Sequence, residues 1–197
     1  MREQLLLDME HPVLKNHKAY GQELLPGLAY IDMLYQIFRE RGFNFKELEL
    51  RNLSIYYPMT VECGYSILLD IRCTEAKTDL WSIDIYGSKK KDDGSISEKK
   101  LYVHAEMHRI IPKTYDGEKI DFCELKAQSV KHWSLEEVYG KCRLQELVHY
   151  GYMKADGTVY ATEQDILMDI SAGQEASVDA DDAMFHPVLI DGSAVAQ

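Results

Sequence analysis

The sequence contains no apolar run near the roughly 18 to 20 residues that a membrane-spanning helix requires. Acidic side chains at Glu3 and Asp8 interrupt its first residues, which is too early for the apolar region of a secretory signal. We therefore expect a cytoplasmic protein that has no membrane partner.

Positive charge is also scarce, because 22 lysines and arginines stand against 33 aspartates and glutamates, for a formal net charge of -11. Each contact with a nucleic-acid phosphate needs a local cation, and an acidic protein repels the polyanion as a whole. Nucleic acid is therefore not expected as a partner.

The sequence has only 4 cysteines, and they form neither a C-x-x-C pair nor a zinc-finger spacing with histidine. This pattern predicts neither a disulfide framework nor a structural zinc site. His104 and His108 lie on one face of a probable strand, because side chains alternate along a strand. No third ligand accompanies them, so we predict no metal.

The hydrophobic content of 46% is enough for one sizeable core or two small ones. After a loop-like opening, apolar residues at spacings of three and four follow Pro26-Gly27 and predict an amphipathic helix over residues 26–41. Stretches rich in β-branched and aromatic residues then predict antiparallel strands at 48–57, 65–73, 80–87 and 100–111. This order is typical of an α+β layer in which a curved sheet wraps one helix.

The pattern is less regular beyond residue 111. Residues 112–131 are polar and predict a linker. Ser134 and Glu137 form a capping-box pattern that begins a second helix, ending near residue 147. One strand is expected over 158–170, and a third helix is expected to begin near Gly192. Because no strand follows on which that helix could lie, the chain looks truncated.

Two side chains have surroundings that suit catalysis. His17 lies just ahead of the first predicted helix, whose N-terminal N–H groups could polarise an acyl carbonyl beside this base. The alternative is a histidine in a surface loop. Asp191 follows an apolar run that would favour a protonated carboxyl group able to donate its proton. The alternative is an aspartate that caps the helix after it.

The spacing His17-x-x-x-Gly21-x-x-x-x-Pro26 matches the H-x-x-x-G-x-x-x-x-P signature of polyketide synthase dehydratase domains. Residues 186–191, His-Pro-Val-Leu-Ile-Asp, resemble the H-P-x-x-x-D signature of the same family, and their first four also repeat residues 11–14. Between the signatures, residues 147–151 look like a degraded Y-G-P-x-F segment. Nearly the whole chain thus resembles this family, especially the dehydratases of bacterial trans-acyltransferase assembly lines.

The resemblance implies a double hot-dog fold, with a first half at residues 1–111, a linker at 112–131 and an incomplete second half at 132–197. It implies a hydro-lyase that converts a 3-hydroxyacyl thioester to the 2-enoyl thioester. The acyl chain would be carried on the phosphopantetheine of an acyl carrier protein, and the domain itself would need no cofactor. Other implied partners are neighbouring synthase domains and a second copy of the chain in a homodimer.

The resemblance also assigns roles to residues. Neutral His17 would be the base for the α-proton, and protonated Asp191 would supply the proton to the leaving hydroxide across one substrate tunnel. Further substrate contacts are implied at Gly21, Pro26, Gly27, Tyr150 and Gln197, the glutamine nearest to Asp191.

Three features depart from the family pattern, and the first is the degraded Y-G-P-x-F segment. Val195 stands where the family usually has Gln or His to orient the aspartate, and the missing later strands would leave the Asp191 helix unsupported. Two other functions therefore stay open, a shift of an enoyl double bond and a non-catalytic module kept for dimerisation or carrier docking.

Overall fold

The computed structural model describes residues 1–112, 117, 119–178 and 182–195. Its helices are α1 (Pro12–Lys15), α2 (Ala29–Arg39), α3 (Phe122–Ala127), α4 (Leu135–Leu144) and α5 (Pro187–Ala194). Its strands are β1 (Arg2–Leu7), β2 (His17–Ala19), β3 (Gln22–Glu23), β4 (Leu48–Ile55), β5 (Tyr65–Lys77), β6 (Leu80–Lys91), β7 (Lys100–Arg109), β8 (Lys131–Ser134), β9 (Leu147–His149), β10 (Ala155–Ala161) and β11 (Ile166–Ala172). In this part of the chain no helix is long and apolar enough to span a membrane.

The first half is a five-stranded antiparallel sheet, in the order β1-β5-β6-β7-β4, with α2 in its core. Leu34 and Phe38 of α2 are fully buried, and the Phe38 ring packs edge-on against Trp81 of β6 at 5.3 Å between centroids. The predicted helix and all four predicted strands are therefore confirmed. The helix begins three residues later than expected, because the N–H of Ala29 first closes a turn on the carbonyl of Pro26.

The prediction of a loop at the start of the chain is wrong for residues 2–7, because they form the edge strand β1. This strand runs antiparallel to β5, with Leu5 opposite Leu69. Its three consecutive leucines lack the alternation by which a half-buried strand is recognised in sequence. The pairing partner, more than sixty residues later, decides its conformation.

The second half is a three-stranded sheet, β11-β10-β8, with α4 and α5 packed against it. The capping box at Ser134 and Glu137 is confirmed at the start of α4. The single strand expected over 158–170 is wrong, since Thr162 accepts hydrogen bonds from the N–H groups of residues 164 and 165 and turns the chain between β10 and β11.

Two further expectations for this half need correction. α3 lies within the range expected to be a linker, and Asp121 caps it by accepting two backbone N–H bonds. α5 begins at Pro187 rather than near Gly192, and strands that precede it in the chain support it. An added Cβ at Gly192 would lie 3.3 Å from the Cβ of Ala155 on β10, so helix and sheet are in close contact. Incompleteness of this half stays a prediction.

Candidate active site

A small sheet, β3-β2-β9, joins the two halves of the molecule. In its register His17 of β2 pairs directly with His149 of β9, and the two imidazoles meet edge-on with centroids 5.1 Å apart. The turn from β2 to β3 consists of Tyr20 and Gly21, both with positive φ, at 52° and 77°. Such a turn suits a tight hairpin, so the structure gives Gly21 a backbone role there.

His17 is 95% buried, with a relative exposure of 5%. Its Nδ1 lies 2.9 Å from the carbonyl oxygen of Leu24, which can only accept, so Nδ1 carries the proton and Nε2 is the basic atom. Burial lowers the pKa of His17 below its ordinary value, although the ionised form of the nearby Asp191 acts in the opposite direction. The imidazole is therefore neutral near pH 7, as a general base must be.

Asp191 reaches the site from α5. The helix begins at Pro187 and is capped by His186, whose Nδ1 accepts from the N–H of Val188. Asp191 thus lies one turn inside the helix, and the alternative that it caps a helix is wrong. Its side chain is 13% exposed, and its Oδ2 lies 2.7 Å from Nε2 of His149.

His149 is the site residue that the sequence analysis missed. Its side chain is fully buried, and the ring lies 4.9 Å from the ring of Tyr139 on α4. The hydroxyl oxygen of Tyr139 accepts from the N–H of Ala155 at 3.0 Å, and burial raises the pKa of this tyrosine to about 12. A signal was available, because His149 lies within the recognised segment 147–151 directly before Tyr150.

The other predicted site residues are not members of this cluster. Tyr150 and Gly21 line a groove on the outer face of the small sheet, with Nζ of Lys18 5.9 Å from the centre of the Tyr150 ring. Pro26 is buried in the turn before α2. Gly27 lies so close to Ile55 that an added Cβ would be 2.7 Å from its Cδ1. Gln197 lies outside the described residues.

Within the described residues, His17, His149 and Asp191 form a group whose potential metal-ligating atoms all lie within 4.8 Å of one another. Nε2 of His149 already contacts Asp191, and coordination through that atom would move the ring proton to Nδ1. Nδ1 is buried and has no hydrogen-bond partner in the described structure, so that proton would be left unpaired. Coordination of a metal through Nε2 of His149 would therefore carry the cost of a buried, unpaired N–H.

Comparisons with known proteins agree on one class. Residues 3–88 match the model of the polyketide synthase dehydratase domain. The chain is 48% identical over 192 residues to polyketide synthase PksL of Bacillus subtilis (strain 168) and 46% identical over 193 residues to PksM of the same organism. Each match covers 98% of this chain but only 4% of the synthase, so the chain spans a small part of these relatives.

Solved structures show the same fold. A monomeric dehydratase domain from a trans-AT polyketide synthase split module is 48% identical, with a TM-score of 0.95 over 99% of this chain and 71% of that one. An N-terminal dehydratase from the difficidin assembly line, 20% identical, has a TM-score of 0.88 over 100% of this chain and 68% of its own.

The antiparallel sheets with helices packed against them therefore define a hot-dog protein of the dehydratase type. The chain belongs to the polyketide synthase dehydratase domain family and resembles the members found in trans-acyltransferase assembly lines.

Proposed function

We propose that this chain removes water from a 3-hydroxyacyl thioester carried on the phosphopantetheine of an acyl carrier protein. The observation that carries the proposal is the meeting of His17 and Asp191, from opposite ends of the chain, with a ring nitrogen of the histidine within 4.8 Å of a carboxylate oxygen in one buried cluster. A neutral base and a carboxyl group at this separation can act on adjacent carbons of one substrate.

The chemistry follows from the two side chains. Nε2 of His17 takes the α-proton, and the electron pair of that C–H bond becomes the second bond between the α and β carbons. The C–O bond at the β carbon breaks as protonated Asp191 gives its proton to the departing hydroxyl group, so water leaves. The reaction ends with a proton on His17 and a carboxylate at Asp191, and one proton transfer between them restores the starting state.

The thioester carbonyl needs a donor as charge develops on its oxygen. We assign that role to the N–H groups at the start of α2, near Gly27, which precede the first intrahelical hydrogen bond. A neighbouring groove is lined by Leu24, Gly27 and Tyr30, among others, and gives an acyl chain apolar walls beside the carbonyl that fixes His17.

The test is to incubate the protein with a carrier-bound 3-hydroxyacyl chain and to follow the mass of the acyl group. We expect loss of one water, abolished by His17→Ala and by Asp191→Asn. His104→Ala is the matched control, because His104 also pairs with an aspartate, Asp84 at 2.8 Å, but on the outer part of the first sheet. A shifted double bond without change of mass would instead show an isomerase, and no reaction in the folded protein would favour a non-catalytic module.

The partners implied by the family belong to the same proposal. The carrier protein would deliver the substrate, and neighbouring synthase domains would flank the chain. The homodimer stays a prediction, and the 48% identical relative described as monomeric supports the opposite outcome. Sedimentation of the purified protein decides between one copy and two.

A further inference from the structure

The proposed acid, Asp191, has its hydrogen-bond partner on another element of the fold. Its Oδ2 lies 2.7 Å from Nε2 of His149 on β9, and in the described part of the chain no other side chain bonds to this carboxyl group. Four residues later, at the C-cap of α5, Val195 offers only an apolar side chain, and its carbonyl oxygen lies 3.9 Å from Sγ of Cys142. The orientation of the carboxyl group therefore depends on His149.

The direction of that hydrogen bond follows from the surroundings of the ring. A neutral imidazole carries one proton, on either Nδ1 or Nε2. Nδ1 of His149 is buried without a hydrogen-bond partner among the described residues, and a buried unpaired N–H is costly. The proton belongs on Nε2, where it is donated to Oδ2 of Asp191.

The His149 ring also packs against two other rings. The Tyr139 ring packs against it at 4.9 Å, and His17 meets it edge-on at 5.1 Å. Tyr139 is itself fixed, because its hydroxyl oxygen accepts from the N–H of Ala155. His149 thus has little freedom to rotate and can hold the carboxyl group in one orientation.

We propose that His149 is a positioning residue that determines which oxygen of Asp191 carries the reactive proton. Since Oδ2 accepts the Nε2–H of His149, a proton on the carboxyl group resides on Oδ1. That proton is then aimed at the substrate hydroxyl group. The inference rests on the proposed dehydration for its catalytic meaning, but the hydrogen bond itself can be tested without turnover.

The kinetic test compares His149→Phe with His149→Gln. Phenylalanine keeps the ring and removes the donor, whereas the side-chain amide of glutamine restores an N–H near the position of Nε2. We expect the phenylalanine variant to lose kcat roughly ten- to a hundredfold with little change in KM, the range for loss of one hydrogen bond to an acidic group. The glutamine variant should recover most of that loss.

A double-substitution cycle separates positioning from a general structural effect. In the Asp191→Asn background, His149→Phe should cost little further activity, because the group that it positions is already disabled. Equal losses in both backgrounds would overturn the proposal. His104→Phe is the matched control, since it removes the histidine of another His–Asp pair, on β7 and β6 of the first sheet, and should leave kcat unchanged.

Nitrogen NMR of the unsubstituted protein gives a test that does not depend on folding of a variant or on catalysis. We expect the His149 ring to show protonation at Nε2, with that proton hydrogen-bonded to a carboxyl oxygen. A proton on Nδ1 would overturn the proposal even if the protein dehydrates its substrate. Conversely, protonated Nε2 in a protein that forms no enoyl product would retain the hydrogen bond and refute only the proposed function.

Discussion

The buried carboxylate of Asp70 on β5 binds three cationic side chains on the five-stranded sheet of the first half. Its side chain is only 3% exposed and accepts from Arg2 at 2.6 Å, Arg72 at 2.9 Å and Lys99 at 2.6 Å. Asp70→Asn removes the charge and turns one accepting oxygen into a donor that faces cations. The substitution should therefore destabilise the edge strand β1, which carries Arg2, together with β5.

The exposure of the three cationic side chains limits the stability that Asp70→Asn would lose. Removing one partner of a buried ion pair costs about 3 to 5 kcal/mol, but the three cationic side chains are 58%, 45% and 39% exposed, and water compensates them. We therefore expect a loss of about 2 kcal/mol in the free energy of unfolding. With a urea dependence of about 2 kcal/mol/M, the unfolding midpoint falls by roughly 1 M.

The pH dependence of this stability difference tests whether the Asp70 ion pairs are its cause. The hydrogen bond from Arg2, with those from Lys99 and Arg72, holds the pKa of Asp70 well below its usual range. A depressed carboxyl pKa contributes stability above the unfolded value, about pH 4, and loses it as the pH falls below that value. The difference between wild type and Asp70→Asn should shrink in acid. A difference that is constant with pH, or no larger than that of Asp84→Asn, whose pair with His104 has side chains 35% and 32% exposed, would contradict this account of Asp70.

Three other predictions concern the core and the site. Phe38→Ala empties a fully buried position in α2 and should cost about 3 to 5 kcal/mol, measured by urea unfolding; a loss below about 1 kcal/mol would contradict the packing described. Tyr139→Phe leaves the buried N–H of Ala155 without its acceptor and should cost about 1 to 3 kcal/mol by calorimetry, whereas an unchanged midpoint would show that this bond contributes nothing. Asp191→Asn removes a carboxyl group that raises the pKa of His17 when it is ionised, so NMR titration should show that pKa falling further, and a rise would contradict the geometry. Because burial already lowers the pKa of His17, this residue contributes stability above about pH 6.5 that is lost as the pH falls from there toward the folded value.

Local patterns were predictable from sequence, and long-range pairings were not. The capping box at Ser134 was predicted because all of its groups lie within one turn of α4. The edge strand β1 was not predicted, because its conformation is determined by pairing with β5. The turn at Thr162 that divides 158–170 depends on one side chain accepting two N–H bonds, which the strand-like composition conceals.

The same distinction between local patterns and long-range contacts applies to the residues of the candidate site. His17 and Asp191 were singled out from their neighbours in sequence and from the family signatures, and the structure brings them together. His149 was not singled out, because the role proposed for it depends on contacts with a strand and a helix far away in the chain. Tyr150, its neighbour, was selected from the same segment but faces the outer groove.

The direct pairing of His17 with His149 across β2 and β9 has a consequence for how the protein responds to stress. Each large sheet has its own buried residues, yet the reactive groups are shared between the halves and meet only where three short strands join them. The proposed catalysis would thus depend on this junction. As the denaturant concentration rises, dehydration activity should be lost before either large sheet unfolds. Faster amide hydrogen exchange at Lys18 and Val148 would be the earliest sign that the small sheet no longer joins the two halves.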